Sequence, residues 1–455
     1  MRLSHDLTPV IRGLVLFGRF DRMSDSTEKM DVIVVGAGLA GLTTAYFLAD
    51  AGLEVLVVER GDFPGSKNVT GGRIYLNPVR DLFPDLWEQA PLERHVTRER
   101  LTAMARESST TVELRSERLN RQPYNSYTIL RAKFDRWFAD QVAEKGALLI
   151  PKFKVDDLVF ENGRVAGIVA DGDEIRADVV VAADGVLSLM AEKAGLREKH
   201  QPRHYAVSMK EVIELPRQTI EDRFNLEGDE GLAQLFFGEL THGMMGGGFL
   251  YTNLESISLG IVVGIQAVMG RDPLQEVHPL MEAFKQRPEI RVLLQGGEVV
   301  EYSAHVITEG GIHAMPKLYS DGILVVGDAA GFGLNMLITV RGMEYALASG
   351  AMAAQAIQRA KEKGDFSAPT LAYYEELLKD SFVLKDMHTF RHALDVLENP
   401  HLTSLYPQVF CDLLEKLMWI DDGPKQGLFS SIFGEVRSKL LNFSTLRDVL
   451  GFCKM

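Results

Sequence analysis

The sequence predicts an α/β protein. A Rossmann-like domain with a parallel sheet is interrupted by an inserted antiparallel β-sheet domain and followed by a C-terminal helical region. Three observations predict it. Gly36-Ala37-Gly38-Leu39-Ala40-Gly41 lies between the apolar run Asp31-Val32-Ile33-Val34-Val35 and a helix-like stretch, Leu39 to Ala51. Two more apolar runs, Val179 to Ala183 and Ile323 to Val326, end in Asp184-Gly185 and Gly327-Asp328, as buried parallel strands do at a ligand-binding edge. The span 204–302 is richest in strand pattern, whereas the chain from Met343 onward reads mostly helical.

Taken in order, residues 1–29 lack a signal-peptide core, because Arg12 and Arg19 interrupt the apolar residues and no small-residue cleavage site follows. They read as a disordered extension, with Met23 or Met30 as a sensible start. The first βαβ unit spans Asp31 to Glu59, and Glu59 closes the run Val55 to Val58, 18 residues past Gly41. A glycine-rich loop, Gly65 to Arg73, follows, and residues 80–122 mix charged patches with short alternating segments. Ala132 to Lys145 carries Phe134, Trp137, Phe138 and Val142 at helical spacing. Strands are expected at Leu148–Ile150, Val155–Phe160 and Val165–Ala170, with Glu161-Asn162-Gly163 as the hairpin turn between the last two. Further strands are expected at Ala206–Leu215, Leu232–Glu239, Phe249–Tyr251 and Ser256–Ile265. These place a discontinuous nucleotide domain at 30–80, 123–203 and 303–355, a substrate domain at 81–122 and 204–302, and the helical region at 356–455.

Composition narrows the function. With 455 residues the chain exceeds one core, and 46% hydrophobic with 25% charged residues is ordinary for a soluble protein. A net charge of −14 argues against nucleic-acid binding. The two cysteines, Cys411 and Cys453, suit a reducing compartment and exclude a disulfide framework, an internal four-cysteine iron–sulfur cluster and a CxxC redox pair. No window reaches the roughly 18 consecutive apolar residues of a spanning helix. A cytoplasmic location is expected.

The motifs point to a dinucleotide. Gly36 permits the tight turn, Gly38 leaves room for a pyrophosphate, and Gly41 lets the helix sit close to the sheet. The helix N-terminus offers free amides and a positive dipole, and Glu59 accepts from a ribose. Gly327-Asp328-Ala329-Ala330-Gly331 is a second site: Asp328 accepts from ribitol hydroxyls, and helix amides beyond Gly333 face a flavin's pyrimidine edge. Alone, a Gly-Asp after a strand is usually a plain turn; paired with the upstream fingerprint it favours FAD over NAD. Asp184-Gly185-Val186-Leu187-Ser188 is the third motif, and Arg131 is placed to pair with the pyrophosphate or to form a surface ion pair. Gly243-Met244-Met245-Gly246-Gly247-Gly248 opens no helix, reads as a loop or sheet crossing, and leaves no second nicotinamide site. His305 and His313 read as structural, Cys411 as a small hydrophobe, Met244-Met245 as core and Arg341 as a helix-surface arginine that could otherwise stabilise an anionic flavin. No metal site and no catalytic side chain is assigned.

The strings Lys67 to Arg73, Ile129 to Phe138, Tyr302-Ser303-Ala304-His305 and Gly327 to Gly342 resemble the FixC family over residues 30 to 455. This is the branch of electron-transfer-flavoprotein:quinone oxidoreductases tied to nitrogen fixation and electron bifurcation. The resemblance implies one FAD in a glutathione-reductase-type domain and a quinone site beside the flavin. It implies electrons from the α and β subunits of an electron transfer flavoprotein. The chain lacks the fused iron–sulfur domain of the mitochondrial type, which implies a separate small ferredoxin-like iron–sulfur subunit. By position, Gly36, Gly38, Gly41, Glu59, Gly72, Arg131, Asp184, Gly327 and Asp328 hold FAD, with Leu334, Asn335 and Met336 near the ring. The candidate set also includes Leu39, Ala40, Arg60, Lys67, Gly71, Arg73, Gly185, Ser188 and Gly333, and Val155, on a strand that usually supplies backbone contacts to adenine.

A quinone is lipid-soluble, so contact with the inner face of the cell membrane is expected. Leu428, Phe429, Ile432, Phe433, Val436 and Leu440 recur at helical spacing, and Arg437, Lys439, Arg447 and Lys454 make the tail slightly basic. Docking of this helix on the core is the competing reading. Two other functions remain open on the same fold: a FAD monooxygenase or geranylgeranyl-reductase-like enzyme, and a noncatalytic FAD scaffold for other electron carriers.

Overall fold

The computed structural model describes residues 29–67, 72–425, 427–440 and 443–453. The extension 1–28, Gly71 and Lys454 therefore lie outside the described residues. The chain opens with β1 (Met30–Val35), α1 (Leu39–Asp50) and β2 (Val55–Glu59). It continues through β3 (Gly72–Tyr75), β4 (His95–Met104), β5 (Ser109–Arg115) and β6 (Ser126–Ile129) to α2 (Arg131–Glu144). Next come β7 (Leu148–Pro151), β8 (Val155–Glu161), β9 (Arg164–Ala170) and β10 (Asp173–Ala182). The β-rich span supplies β11 (Tyr205–Glu214), β12 (Glu230–Gly238), β13 (Gly246–Thr252), β14 (Ser256–Gly264) and β15 (Glu298–Thr308). β16 (Tyr319–Ser320), β17 (Ile323–Val325) and the hairpin β18 (Leu334–Asn335) and β19 (Val340–Arg341) precede α3 (Met343–Lys363). Shorter helices follow, ending with α4 (Leu405–Met418), α5 (Leu428–Lys439) and α6 (Phe443–Phe452).

The first sheet runs β16-β17-β10-β1-β2-β7, and every pair from β17 to β7 is parallel. β1, β2, β17 and the second half of β10 are buried on both faces, which is why they read as continuous apolar runs rather than alternating ones. β8 and β9 form an antiparallel hairpin beside β10, and its turn residues Asn162 and Gly163 take φ of 50° and 83°, the pair a tight right-twisted hairpin requires. α1 is buried on nearly every side because α3 covers it. A Cβ on Gly350 of α3 would lie 2.4 Å from the Ala40 carbonyl, and Thr44 donates to the Gly350 carbonyl at 3.1 Å.

The second sheet runs β15-β11-β14-β13-β12-β4-β6-β3, with β5 paired to β4. The expectation of an antiparallel sheet needs one correction. β12 and β4 are parallel, with Glu230 opposite His95 and Gly238 opposite Met104, because the two strands come from segments far apart in the chain rather than from a hairpin. β3 and β6 also join this sheet, although they fall within 30–80 and 123–203. Gly246-Gly247-Gly248 is a second correction: it is the first half of β13, not a loop, and pairs with Val263, Val262 and Ile261. Only glycine fits there, because a Cβ on Gly246 would meet the Val262 carbonyl at 2.1 Å and one on Gly247 the Phe236 carbonyl at 2.6 Å. A third correction concerns the late glycine motif. No helix starts at Gly333; a single 3-10 turn, Gly327–Ala330, leads into the β18–β19 hairpin, and α3 begins at Met343.

Candidate functional site

The C-terminal ends of four adjacent parallel strands converge on one cavity of about 630 Å3. Gly36 directly follows β1, Glu59 ends β2, and Asp184 and Asp328 lie just past the ends of β10 and β17; each of these residues lines it. Gly36 turns with φ 107°, where a Cβ would lie 2.3 Å from the Ala183 carbonyl. Gly41 does a different task. A Cβ there would meet the Gly36 carbonyl at 2.1 Å and Val34 at 3.1 Å, so its hydrogen sets how closely α1 approaches the sheet. Gly38 is the open position: a Cβ would meet nothing within 4 Å. It caps α1, whose first turn has no acidic residue, so the helix amides there face the cavity without a protein anion. The late glycine turn touches the early one. A Cβ on Gly327 would come within 2.7 Å of the Ala40 side chain.

Glu59 stands at the end of β2, accepting from the Ala37 amide at 3.0 Å and the Gly61 amide at 2.6 Å, which fixes its carboxylate and leaves further acceptor capacity toward the cavity. Asp184 accepts from the Met190 amide at 3.0 Å through Oδ2, while its Oδ1 is buried with no partner among the described residues. Burial pushes the Asp184 carboxyl up, opposed by the backbone amides around it. Asp328 is exposed and lines the cavity. Burial raises its carboxyl too, with Arg131, His305 and Lys210 pulling the other way. Arg131 forms a two-pronged pair with Asp135, at 2.8 Å on each oxygen; because Asp135 is buried, this is not the surface ion pair expected, and Arg131 also lines the cavity.

Leu39, Ala40, Arg60, Lys67, Gly72, Arg73, Val155, Gly185, Gly333, Leu334 and Asn335 also line this cavity. Arg73 is held inside the second sheet by Glu99 and by Ser126, whose hydroxyl its Nε meets at 3.0 Å. Four candidates sit elsewhere. Gly41 and Gly327 are packing positions behind the wall; Ser188 is fully buried and donates to the Ala329 carbonyl at 2.8 Å; Met336 lies on the hairpin tip, outside the cavity wall. Gly71 lies outside the described residues.

The opposite wall comes from the second sheet, and here sequence reasoning missed the most. Lys210, Tyr251, His305 and Glu309 all line the cavity. Burial brings the Lys210 ammonium down to about 8 and the Tyr251 phenol up to about 12. His305, read as structural, faces the cavity, and burial lowers its imidazole against the pull of Asp328. Burial raises the Glu309 carboxyl to about 7. For Lys210, Tyr251 and His305 the signal available in the sequence was a polar side chain within a β strand, whereas Glu309 lies just past β15. Arg341 also differs from expectation. It lies on β19, not on a helix, paired with Glu344 and Asp386 and stacked 4.6 Å from the Tyr345 ring. Met244 is buried, as is Cys411, whereas Cys453 is exposed; Met245 lines the cavity.

The geometry is that of a dinucleotide cradle facing a sheet, and comparison with known proteins agrees. A family model for FAD dependent oxidoreductases matches residues 31–127, and one described as ETF-QO, ubiquinone-binding, matches residues 205–307. The chain is 45% identical over 423 residues to the Escherichia coli K12 protein named probable electron transfer flavoprotein-quinone oxidoreductase YdiS, covering 93% of this chain and 98% of that one. It is 43% identical to FixC of Azorhizobium caulinodans, covering 88% of this chain and 92% of the relative. The chain belongs to the FixC and electron transfer flavoprotein-quinone oxidoreductase family. It is an FAD-dependent oxidoreductase.

Solved structures place this FixC-family chain on a widely used fold. A geranylgeranyl bacteriochlorophyll reductase-like protein of Thermoplasma acidophilum superposes with a TM-score of 0.70 at 21% identity, covering 93% of this chain and 99% of that one. The myxobacterial chondrochloren halogenase CndH superposes at 0.64 with 18% identity, covering 94% and 98%. The residues fit FAD on their own evidence: an unfilled approach over Gly38, helix amides with no protein anion, and acidic side chains open to the cavity at Glu59, Asp184 and Asp328.

Proposed function

We propose that this chain takes electrons from a reduced electron transfer flavoprotein and passes them, through FAD, to a quinone. The observation that carries the reading is the shared cavity. The segment 205–307, which matches the ubiquinone-binding model, forms the sheet wall directly across from the dinucleotide cradle. That wall carries Leu235, Phe236, Phe249 and Val262, apolar side chains suited to a quinone ring, and Gly246 to Gly248 also line the cavity there.

FAD supplies acceptance and release of electrons singly or in pairs, and the chain's residues hold and orient it. The α1 amides and Arg131 bind the phosphates, and Glu59 the ribose. Asp328 binds ribitol hydroxyls, and the backbone at Gly333, Leu334 and Asn335 faces the pyrimidine edge. Val155 and Lys67 flank the adenine end. The electron donor engages as the α and β subunits, with a small ferredoxin-like iron–sulfur subunit as a further partner.

Membrane contact belongs to the same proposal. Among the described residues no helix is long and apolar enough to cross a bilayer. The end of α4 and the start of α5 leave Met418, Trp419, Ile420, Phe429, Ile432 and Phe433 exposed, with the Phe429 and Phe433 rings stacked 5.9 Å apart. Such a cluster suits shallow insertion into the inner face of the cell membrane. The test is anaerobic reduction by electron transfer flavoprotein followed by reoxidation with a ubiquinone or menaquinone analogue. Rapid reoxidation by quinone supports the reading. Reoxidation by oxygen with hydroxylation of a substrate, or saturation of a prenyl chain, supports the monooxygenase or prenyl-reductase alternative.

A further inference from the structure

The cavity wall holds a carboxylic acid that binding of a dinucleotide does not account for. Glu309 follows the last residue of β15 and is 6% exposed, yet it lines the cavity. Its backbone amide is fixed by the His204 carbonyl at 2.8 Å. One carboxyl oxygen, Oε1, accepts a long hydrogen bond from the Asn335 side chain at 3.5 Å; the other, Oε2, is buried with no partner among the described residues. Among those residues no cation is paired with it. A buried carboxylate so placed is costly, and the protonated acid, with a proton to give, costs less.

We propose, on the footing that the cavity reduces a quinone, that Glu309 delivers a proton to the quinone oxygen and that Asn335 positions it. Asn335 is suited to this because it is itself fixed: its Oδ1 accepts from the Leu337 amide at 3.0 Å, inside the β18–β19 hairpin that lines the cavity. Glu309 gives up its proton as the ring gains an electron pair. That pair and the second proton come from the reduced cofactor, so one quinone, two electrons and two protons become one quinol. The Glu309 carboxylate takes its proton back from water between turnovers. His204 just before β11, Tyr205 and Lys210 on β11, His305 on β15 and Arg341 on β19 are titratable groups on the neighbouring elements. None of them is a cause of the upward displacement of the Glu309 carboxyl to about 7, which comes from burial and is opposed only by Asn335.

The test compares wild type with Glu309→Gln as flavin-loaded enzymes, reduced anaerobically and reoxidised either by a soluble ubiquinone analogue or by ferricyanide, which takes electrons without protons. The expected result is a loss of about 100-fold with quinone and an unchanged rate with ferricyanide. Glu309→Asp should recover part of the loss. Wild-type reoxidation by quinone should fall as pH rises through about 7, and Asn335→Ala should move that midpoint upward. A second readout needs no turnover: the infrared carbonyl band of a protonated carboxylic acid at pH 6 should be present in wild type and missing from Glu309→Gln. Equal quinone rates in wild type and Glu309→Gln, equal losses with both oxidants, or no such band in wild type would each overturn the assignment. Wild type that ferricyanide reoxidises and quinone does not would overturn the functional reading as well.

Discussion

Replacing Gly38 with valine separates cofactor binding from folding. Gly38 has φ −83° and ψ 179°, a conformation open to any residue, and a Cβ there meets nothing within 4 Å. The substitution should therefore leave the stability of the flavin-free protein within about 0.5 kcal/mol of wild type. In the loaded protein the same side chain stands where the pyrophosphate approaches the α1 amides. Forced overpacking of that kind costs about 1–3 kcal/mol, a loss in affinity of roughly 5- to 150-fold. Gly41→Ala is the contrasting control. Its Cβ would lie 2.1 Å from the Gly36 carbonyl, so it should destabilise the protein with or without flavin. Flavin fluorescence titration gives affinity, and urea unfolding of the flavin-free proteins gives stability. Unchanged FAD affinity in Gly38→Val would refute the placement of the pyrophosphate over this turn.

Glu309 also predicts a pH dependence of stability. Its carboxyl lies at about 7 in the folded chain against an ordinary 4.5, so the folded state holds a proton that the unfolded state has released; wild type should lose about 3 kcal/mol relative to Glu309→Gln as pH rises from 4.5 through 7, with urea midpoints as the measure and parallel curves as the contrary result. Arg94 is fully buried and donates to the carbonyls of Asn253, Gly228, Glu230 and Leu254 and to Glu221. Arg94→Ala strands these acceptors and should cost about 3–5 kcal/mol, read by the same unfolding assay. Replacing Phe429 and Phe433, 80% and 47% exposed, by serine should weaken sedimentation with anionic vesicles about tenfold or more while leaving flavin content unchanged; equal sedimentation would remove this cluster as the membrane contact.

The parallel sheet was legible because its signals are local. β1, β2, β17 and the second half of β10 are short apolar runs closed by a glycine or an acidic residue, and Gly36, Glu59, Asp184 and Asp328 meet because parallel strands present the same end to one side. The second sheet was legible only in part. The strands at 206–215 and 256–265 could be read singly, but β4 beside β12 and β3 beside β6 are long-range pairings that no local pattern records. The glycine run at 246–248 was misread because its need for glycine arises from the carbonyls of Val262 and Phe236 across the sheet. Lys210, His305 and Glu309 were missed as site residues for a related reason. A lone charged residue on a strand reads as solvated until the fold shows that its face is a cavity wall.

The proposed function requires electrons to cross this cavity from a protein donor to a quinone. The most direct measurement follows the flavin absorbance of the purified chain in an anaerobic mixing experiment, first with reduced electron transfer flavoprotein and then with a quinone analogue. Bleaching in the first step and full recovery of the oxidised spectrum in the second are the expected results. A flavin that the protein donor bleaches and quinone leaves bleached would contradict the proposed function.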